Sequence, residues 1–179
     1  ENVMITPEGL VKILDFGLAR ITEGDIDNAS MATEVGVIKG TLAYMSPEQA
    51  VGRSEEIDVR TDVYALGIIL FEMLSGQRPY DVSQRSLPDA IRVIAETRPQ
   101  SLRAANSKLA SLDADIETIV QKALEKEVDR RYDSAAELSG DVVRYLTSQP
   151  ILARPPSTIY QLRKLVSRHR VPAALVGLM

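Results

Sequence analysis

Short apolar runs and turn residues alternate at the start of the chain. VMI at residues 3–5 and VKIL at residues 11–14 are separated by a segment that begins with TPEG. Pro and Gly in this segment supply turn chemistry, so the pattern predicts a small β-hairpin. Asp15 comes directly after the second strand. Asp before a nearby Gly is an ordinary way to leave a strand, so the position alone does not distinguish a turn residue from a metal ligand.

The strongest helical pattern begins at Thr61 or Asp62 and ends at Ser75. It has an acidic start, and Gly76 is a stop signal. Apolar residues occur on nearly every face. A helix that is apolar all round is buried, so we expect this one to be the central helix of the fold.

Three amphipathic helices are predicted after it, and residues 21–39 are predicted to be a long loop. The second helix carries one apolar stripe, and Ser134 with Glu137 forms a capping-box pattern in the third. The pattern therefore predicts a mainly α fold with one small hairpin. The three segments are LPDAIRVIAET (87–97), DADIETIVQKALEKE (113–127, with Ile116, Ile119, Val120, Ala123 and Leu124 on the stripe) and SAAELSGDVVRYLTS (134–148).

Composition excludes several kinds of site. The chain has 179 residues, no Cys, a single His and a net charge of -4. Disulfides and thiolate metal sites are therefore excluded, and His169 cannot build a multi-histidine zinc site. The charge gives no reason to expect nucleic-acid binding. The length suits one hydrophobic core.

The C-terminal part differs in composition. Three prolines in residues 149–157 predict a linker, and residues 159–170 combine apolar residues with four Arg or Lys. A basic amphipathic helix can lie on a membrane or on nucleic acid. The uncharged apolar run at 171–179 favours a juxtamembrane segment. A membrane-spanning helix needs about 20 residues, so we expect the span to continue past Met179.

Four motifs occur in order along the chain, and Asn2 lies ahead of them on the first arm of the hairpin. Together they resemble the C-terminal lobe of eukaryotic-like, bacterial-type serine/threonine protein kinases, over about residues 1–148. The resemblance implies a helical kinase C-lobe whose hairpin carries Asn2 and the DFG motif, with the N-lobe absent from this chain. The motifs are LDFGLAR (14–20), GTLAYMSPEQ (40–49), TDVYALG (61–67) and DRRYDSAAEL (129–138).

The resemblance implies ATP and Mg²⁺ as cofactors. Asp15 matches the metal-chelating Asp of the DFG triplet, Asn2 matches the Asn that holds a second metal ion, and Gly17 has a structural role in the triplet. Phosphoryl transfer needs Mg²⁺ to neutralise phosphate charge, and Mg²⁺ favours carboxylate and amide oxygens. A hairpin with both residues at one end would bring their side chains to a common point.

Residues 15–48 match the activation segment. By the resemblance, Thr41 supports the catalytic Asp of serine/threonine kinases. Ser30 and Thr33 lie where activating phosphates usually sit, although either is equally well explained as an unmodified loop residue.

Three further residues have structural roles by the resemblance. Glu48 and Arg131 match a buried ion pair that ties the activation segment to the helices below it. Asp62 matches the residue that holds the backbone of the catalytic loop. The alternative for all three is helix capping or surface charge.

The family's HRD base, its ATP-pairing Lys and its glycine-rich loop fall upstream of Glu1 by the resemblance. No catalytic base is therefore assigned here, and we expect the chain alone to be inactive. The parent protein is expected to phosphorylate Ser and Thr on protein substrates. The alternative is a pseudokinase or scaffold. The two predicted metal ligands favour an active kinase, since a scaffold has no physical need for them. An Asp five residues before Asn2 would also support an active kinase.

These patterns divide the chain into three parts. Residues 1–148 are expected to be a partial kinase domain, 149–170 a Pro-containing linker and basic juxtamembrane segment, and 171–179 the start of a transmembrane segment. The basic cluster places the kinase domain in the cytoplasm by the positive-inside rule. The expected protein is a single-pass membrane protein, and its expected partners are protein substrates and the membrane but not nucleic acid.

Overall fold

The computed structural model describes residues 3–13 and 42–155, together with Ser157, Tyr160, Gln161 and Lys164. Several positions of the predicted site lie outside these ranges, so their predicted roles stay predictions. They are Asn2, Asp15, Gly17, Ser30, Thr33 and Thr41.

The predicted hairpin is present. Strands β1 (Val3–Ile5) and β2 (Val11–Ile13) pair antiparallel, with Val3 opposite Ile13. The turn closes through hydrogen bonds from Thr6 N to Leu10 O and from Gly9 N to Thr6 O, both 2.8 Å long. Gly9 has φ of 82°, a left-handed conformation that glycine adopts without a Cβ clash. The open end of the hairpin, opposite the turn, is where Val3 pairs with Ile13. In the sequence Asn2 precedes Val3, and Asp15 comes two residues after Ile13.

The rest of the described chain is mainly helical, with a long central helix and shorter helices around it. Three short 3₁₀ turns, at Ser54–Glu56, Ser107–Leu109 and Val128–Arg130, connect some of them. The helices are α1 (Pro47–Ala50), α2 (Val59–Ser75), α3 (Leu87–Glu96), α4 (Leu102–Ala105), α5 (Ala114–Ala123) and α6 (Ala135–Leu146).

Helix α2 ends as predicted and begins earlier than predicted. Gly76 caps its C-terminus with φ of 73°, and its N–H donates to Glu72 O. At the other end the N-cap is Asp58, whose carboxylate accepts from Arg60 N at 2.8 Å. The predicted start at Thr61 or Asp62 was therefore two or three residues too late, because Asp58 caps the helix ahead of the motif.

Helix α2 is not buried on every side. Val63, Tyr64, Ile68 and Phe71 are fully buried, but Leu66 is 39% exposed and Met73 is 78% exposed. The prediction of burial all round was therefore wrong for this face, since no other described element covers it. The helix is central to the described fold and has one apolar face exposed to solvent.

Two clusters of apolar side chains share α2. One includes Tyr64 and Phe71, and the other places Val63 against Ile116 and Ile119 of α5. The two helices approach closely at Gly67, where a Cβ would lie 2.9 Å from Ala123 Cβ. The predicted apolar stripe of α5 is confirmed, since each of its five residues is buried.

The ends of two helices differ from the predicted pattern. Helix α5 ends at Ala123, short of the predicted stretch to 127, and Arg131 donates to the carbonyl groups of Glu125 and Lys126 in the segment that follows it. In α6, Ser134 accepts from Glu137 N as predicted, but the Glu137 carboxylate accepts from Asp133 N. Only half of the predicted capping box is therefore formed.

Candidate functional site

The structure brings Glu48 and Arg131 together from 83 positions apart. Glu48 lies in α1, which Ser46 and Gln49 hold through a complete capping box. Arg131 follows the 3₁₀ turn Val128–Arg130. Its Nη1 donates to Glu48 Oε1 and its Nη2 to Glu48 Oε2, each at 2.7 Å, and both side chains are at most 1% exposed. This is the bidentate geometry that fixes orientation as well as charge.

Arg131 has an acceptor for each of its five N–H donors. Besides the two bonds to Glu48, Nε donates to Glu125 O, Nη1 to Arg60 O and Nη2 to Lys126 O, at 2.8 to 3.2 Å. Its guanidinium also lies over the Tyr64 ring, 4.8 Å from the centroid. The cation is therefore fully satisfied in the interior, and it joins α1, the start of α2 and the segment after α5.

Glu48 is held in its charged form at this junction. Burial by itself raises the pKa of a carboxyl group, but the hydrogen bonds and charge of Arg131 outweigh burial and lower the pKa of Glu48 below its ordinary 4.5. Thr61 Oγ1 donates a further hydrogen bond to Oε1 at 2.9 Å. Because the folded pKa is depressed, the stability this group contributes is present above pH 4.5 and is lost as pH falls through the lowered value.

A second contact holds the segment that follows Thr41 against α2. Tyr44 OH donates to Glu72 Oε2 at 2.6 Å, and Arg78 Nε lies 3.6 Å from Glu72 Oε1. The Arg78 guanidinium also lies 5.4 Å from the centre of the Tyr44 ring. Residues 44–48 are therefore fixed at both ends, by Glu72 at one and by Arg131 at the other.

Asp62 is exposed in the first turn of α2. The capping role at this helix end belongs to Asp58, which also pairs with Arg60 at 2.8 Å. The partner that the resemblance implies for Asp62, the catalytic-loop backbone, is not among the described residues. Its role stays a prediction.

The predicted metal ligands Asn2 and Asp15 lie outside the described residues, and their positions in the sequence flank the paired residues Val3 and Ile13. Asn2 directly precedes Val3, and Asp15 follows two residues after Ile13, the partner of Val3 in the sheet. An amide oxygen and a carboxylate fit the oxygen preference of Mg²⁺. Within 3–13, 42–155 and the four further described residues, no group of three or more His, Cys, Asp or Glu side chains could hold a metal ion.

Sequence reasoning missed Lys126, which lies beside the ion pair. Its Nζ donates to Tyr64 OH at 3.2 Å and to Ile94 O, and it lies 4.1 Å from the centre of the Tyr80 ring. Burial and the charge of Arg131 lower the pKa of Lys126 to about 7. It also lines a cavity of about 560 Å³ next to Glu48 and Arg60. Its sequence context, a lysine between two glutamates, is that of a surface residue, so no local signal marks it.

The protein kinase domain family matches residues 1–141 of the chain. Among curated proteins, the chain is 36% identical to serine/threonine-protein kinase PknB of Mycobacterium tuberculosis over 149 residues, which is 83% of this chain and 22% of that protein. It is 36% identical to a probable serine/threonine-protein kinase of Streptomyces coelicolor over 84% of this chain and 21% of that protein. It is 30% identical to probable serine/threonine-protein kinase PknB of Bifidobacterium longum over 93% of this chain and 23% of that protein.

Among solved structures, the chain is similar to the twitchin kinase region from C. elegans. The TM-score is 0.46 with 16% identity, over 76% of this chain and 22% of that chain. The chain thus spans less than a quarter of the length of each protein named here.

Proposed function

Because the chain belongs to the protein kinase family, we propose that the whole protein transfers the γ-phosphoryl group of ATP to Ser and Thr hydroxyls of protein substrates. The observation that carries the proposal is the buried Glu48–Arg131 pair, which fixes the end of the activation segment to the helical lobe. The relatives are named serine/threonine-protein kinases, and the mainly helical architecture with one hairpin fits a kinase C-lobe.

In this proposal Asn2 and Asp15 hold Mg²⁺. The metal ion neutralises phosphate charge when bound, and the two side chains hold and orient it. Gly17 shapes the turn after Asp15, and Thr41 supports the catalytic Asp of the parent protein. Asp62 anchors the backbone of the catalytic loop.

Ser30 and Thr33 are the proposed positions of activating phosphates. A phosphate in this loop adds negative charge that an Arg partner can bind, and this would order the segment ahead of Thr41. The described end of that segment, at Tyr44 and Glu48, is already fixed to α2 and Arg131. A phosphate would therefore add a contact to a segment whose described end these two anchors hold.

The test is phosphoryl transfer by the full-length protein with Asp15→Asn, because Asn keeps the size of the side chain and removes its charge. We expect turnover of a Ser/Thr substrate to fall at least about a hundredfold at normal Mg²⁺. Asp89→Asn is the matched control, since Asp89 is a half-exposed carboxylate whose ion pair with Arg92 is on the surface. Turnover by Asp15→Asn at the rate of the control would reject Asp15 as a metal ligand.

The scaffold alternative makes the opposite prediction in the same experiment. A pseudokinase would bind its partners equally well with Asp or Asn at position 15, and neither protein would transfer phosphate. Measured phosphate incorporation by the unmodified full-length protein therefore separates the two functions.

The 179 residues alone are proposed to be inactive. Their single histidine, His169, is followed by Arg and Val, so the chain contains no HRD triplet to supply the base. We expect no phosphate incorporation and an ATP dissociation constant well above micromolar. Submicromolar ATP affinity in a titration of this chain would contradict the proposal.

Membrane attachment is proposed for the segment after residue 158, with the kinase domain on the cytoplasmic side. Its support is the basic cluster of residues 163–170 followed by the apolar run 171–179. In the part of the chain that the structure describes, no helix has the length and hydropathy needed to cross a bilayer. The full-length protein is expected in the membrane fraction after alkaline extraction, and its release into the supernatant would contradict attachment.

A further inference from the structure

The described residues from Ile151 onward lie against the helical domain, beyond the 141 residues that the kinase family matches. We use the name strap for these residues, which are 151–155, 157, 160, 161 and 164. Ile151 is 2% exposed and belongs to the same apolar cluster as Ile116 and Ile119 of α5. Tyr160 packs against that cluster as well. A flexible linker would not bury its side chains in this way.

The first polar contact of the strap is with Asp141 of α6, which is fully buried. Its Oδ1 accepts from Leu152 N at 2.7 Å and its Oδ2 accepts from Ala153 N at 2.8 Å. Tyr132 OH donates to Oδ2 at 3.0 Å and so fixes the carboxylate from the other side. The carboxylate therefore takes two successive backbone amides of the strap as its donors, an arrangement that requires the strap in this position.

The second polar contact is with Asp115 of α5, which is 1% exposed. Tyr160 OH donates to Asp115 Oδ2 at 2.9 Å, and Lys164 Nζ lies 2.6 Å from the same oxygen. Arg154 Nη1 lies 3.1 Å from Asp115 Oδ1. The two groups form an ion pair, but their angles do not make a hydrogen bond. Tyr160 and Lys164 both have helical backbone and are four positions apart, the spacing at which helical side chains are neighbours.

Tyr160 also closes the strap on itself. Its hydroxyl accepts from Ile151 N at 3.0 Å while it donates to Asp115, so one oxygen links both ends of the strap to α5. The Arg154 guanidinium lies 5.1 Å from the centre of the Tyr160 ring. Lys164 is only 13% exposed, and the attraction of Asp115 and Asp113 outweighs burial and raises the pKa of Lys164 above its ordinary value. Lys164 therefore stays charged in the docked position.

The buried carboxylate of Asp115 favours binding of the strap, because it needs donors and positive charge that the strap supplies. A buried carboxylate is costly unless charges and donors satisfy it. The partners of this carboxylate described above, the Tyr160 hydroxyl and the cations of Arg154 and Lys164, all come from the strap. The carboxylate of Asp113 also lies 3.6 Å from Lys164 Nζ. The surface is acidic and partly apolar, and the strap is basic and aromatic, so the two match in charge and in polarity.

We propose that the acidic surface formed by Asp113, Asp115 and Asp141 is a docking site for this chain's own strap. The strap binds through the Tyr160 and Lys164 pair and through the amides of Leu152 and Ala153. Docking restrains the direction in which the polypeptide leaves the helical domain, so the residues after 164 start from a fixed point on α5. The proposal does not depend on phosphoryl transfer.

Amide hydrogen exchange of the 179-residue chain, read by mass spectrometry, tests the docking. In the unmodified chain we expect the amides of 151–153 and of Tyr160 and Gln161 to be protected. Asp115→Asn removes the charge that holds Lys164 and Arg154. We expect exchange at Tyr160 and Gln161 to become about tenfold faster or more, since bonds to charged groups are the strong ones. Amides of α2 should keep their protection.

Asp113→Asn is the matched control. Asp113 caps α5 by accepting from Asp115 N, a role that Asn fills equally well. Its carboxylate is 48% exposed and lies farther from Lys164 than that of Asp115. We expect strap exchange to change less than about threefold in this variant, because exposed ion pairs contribute little.

Variants on the strap itself keep the test decisive if Asp115→Asn disturbs the helices. Tyr160→Phe removes the hydroxyl that Ile151 and Asp115 share, and Lys164→Gln removes one cation, while neither changes α5. Both should speed strap exchange. In the Lys164→Gln background, Asp115→Asn should add less than it does alone, because the two residues act as a pair.

The proposal is overturned if the strap amides of the unmodified chain exchange at the rate of an unstructured peptide. It is also overturned if Tyr160→Phe and Lys164→Gln both leave strap exchange unchanged. Additive effects of Asp115→Asn and Lys164→Gln would overturn the pairing as well, because independent structural roles would add.

Discussion

At the scale of single residues, Arg131 has more partners than the motif alone implies. The family resemblance predicts one partner for Arg131, the carboxylate of Glu48. The structure adds three backbone carbonyl groups and an aromatic ring as further partners. Replacing buried ion pairs by apolar groups is often neutral, so the pair is better understood as a junction than as a gain in stability. What makes it costly to break is the charge that a single substitution leaves behind.

We therefore predict that Arg131→Ala lowers the free energy of unfolding by about 3–5 kcal/mol, because Glu48 remains buried without its cation. The double variant Arg131→Met with Glu48→Gln should recover part of this loss. Urea denaturation of each variant gives the free energies. Arg92→Ala is the control, since its pair with Asp89 is exposed and should contribute less than about 1 kcal/mol. A loss of that small size for Arg131→Ala would contradict the argument.

The lowered pKa of Lys126 predicts that the stability of the protein depends on pH. Its folded pKa, about 7, lies below its ordinary 10.5, so between these values the unfolded chain binds more protons than the folded one. Stability should rise with pH through this window, by at most about 1.4 kcal/mol per pH unit for one proton and by less where solvent reaches the amine. Lys126→Met should lack this rise. Parallel pH profiles of the two proteins from pH 7 to 10 would contradict the shifted pKa.

At the scale of elements, the contact between α2 and α5 sets how close two helices can lie. Gly67 faces Ala123 so closely that an added methyl group would be 2.9 Å from the Ala123 Cβ and 3.1 Å from Leu124 Cδ2. Gly140, in α6, faces only the flexible end of Arg144, at 3.3 Å. The same substitution is therefore expected to have opposite effects at two helical positions.

Gly67→Ala should destabilise the protein by about 1–3 kcal/mol through overpacking. Gly140→Ala should stabilise it by up to about 1 kcal/mol, since Ala is the better helix former. Thermal unfolding of both variants checks the signs. Gly67→Ala combined with Ala123→Gly should be less destabilised than Gly67→Ala alone. Equal effects of the two glycine substitutions would exclude the close approach as the cause.

Elements that carry their own periodicity and caps could be predicted from the sequence. The stripe of α5 and the Gly76 stop of α2 are local signals, and both are present in the fold. Helices α1 and α4 have four residues each, too few for a period to be detected. The start of α2 was misplaced because the motif begins at Thr61 and Asp62, whereas Asp58 makes the cap.

The candidate site could be predicted only in part, because several of its contacts depend on residues that are distant in the sequence. The meeting of Glu48 and Arg131 followed from the family resemblance and not from any local pattern, since 83 positions separate them. Lys126 and the strap contacts of Asp115 depend on tertiary neighbours that no short motif encodes. Burial, which decides their chemistry, is a property of the packed fold and not of the residues on either side.

At the scale of the whole molecule, the exposed face of α2 is the feature that the described elements leave unexplained. Leu66 and Met73 lie seven positions apart, so they fall on one side of the helix, with the partly buried Leu70 between them. An apolar stripe of this kind on a central helix usually has a packing partner. The match covers only 22% of one relative and 21% of another, so a protein of their length has ample polypeptide to supply one.

The last prediction compares Met73→Ser in two settings. In the 179-residue chain Met73 is 78% exposed, so the substitution should change the free energy of unfolding by less than about 0.5 kcal/mol. In the full-length protein, if the α2 face is covered, the same change should cost about 2 kcal/mol or more, because it replaces a buried apolar side chain by a polar one. Val143→Ser on α6 is the control, at a residue that is 53% exposed and expected to behave alike in both settings. Equal small effects of Met73→Ser in both proteins would mean that the face stays open, and α2 would then be a surface helix on that side even in the complete molecule.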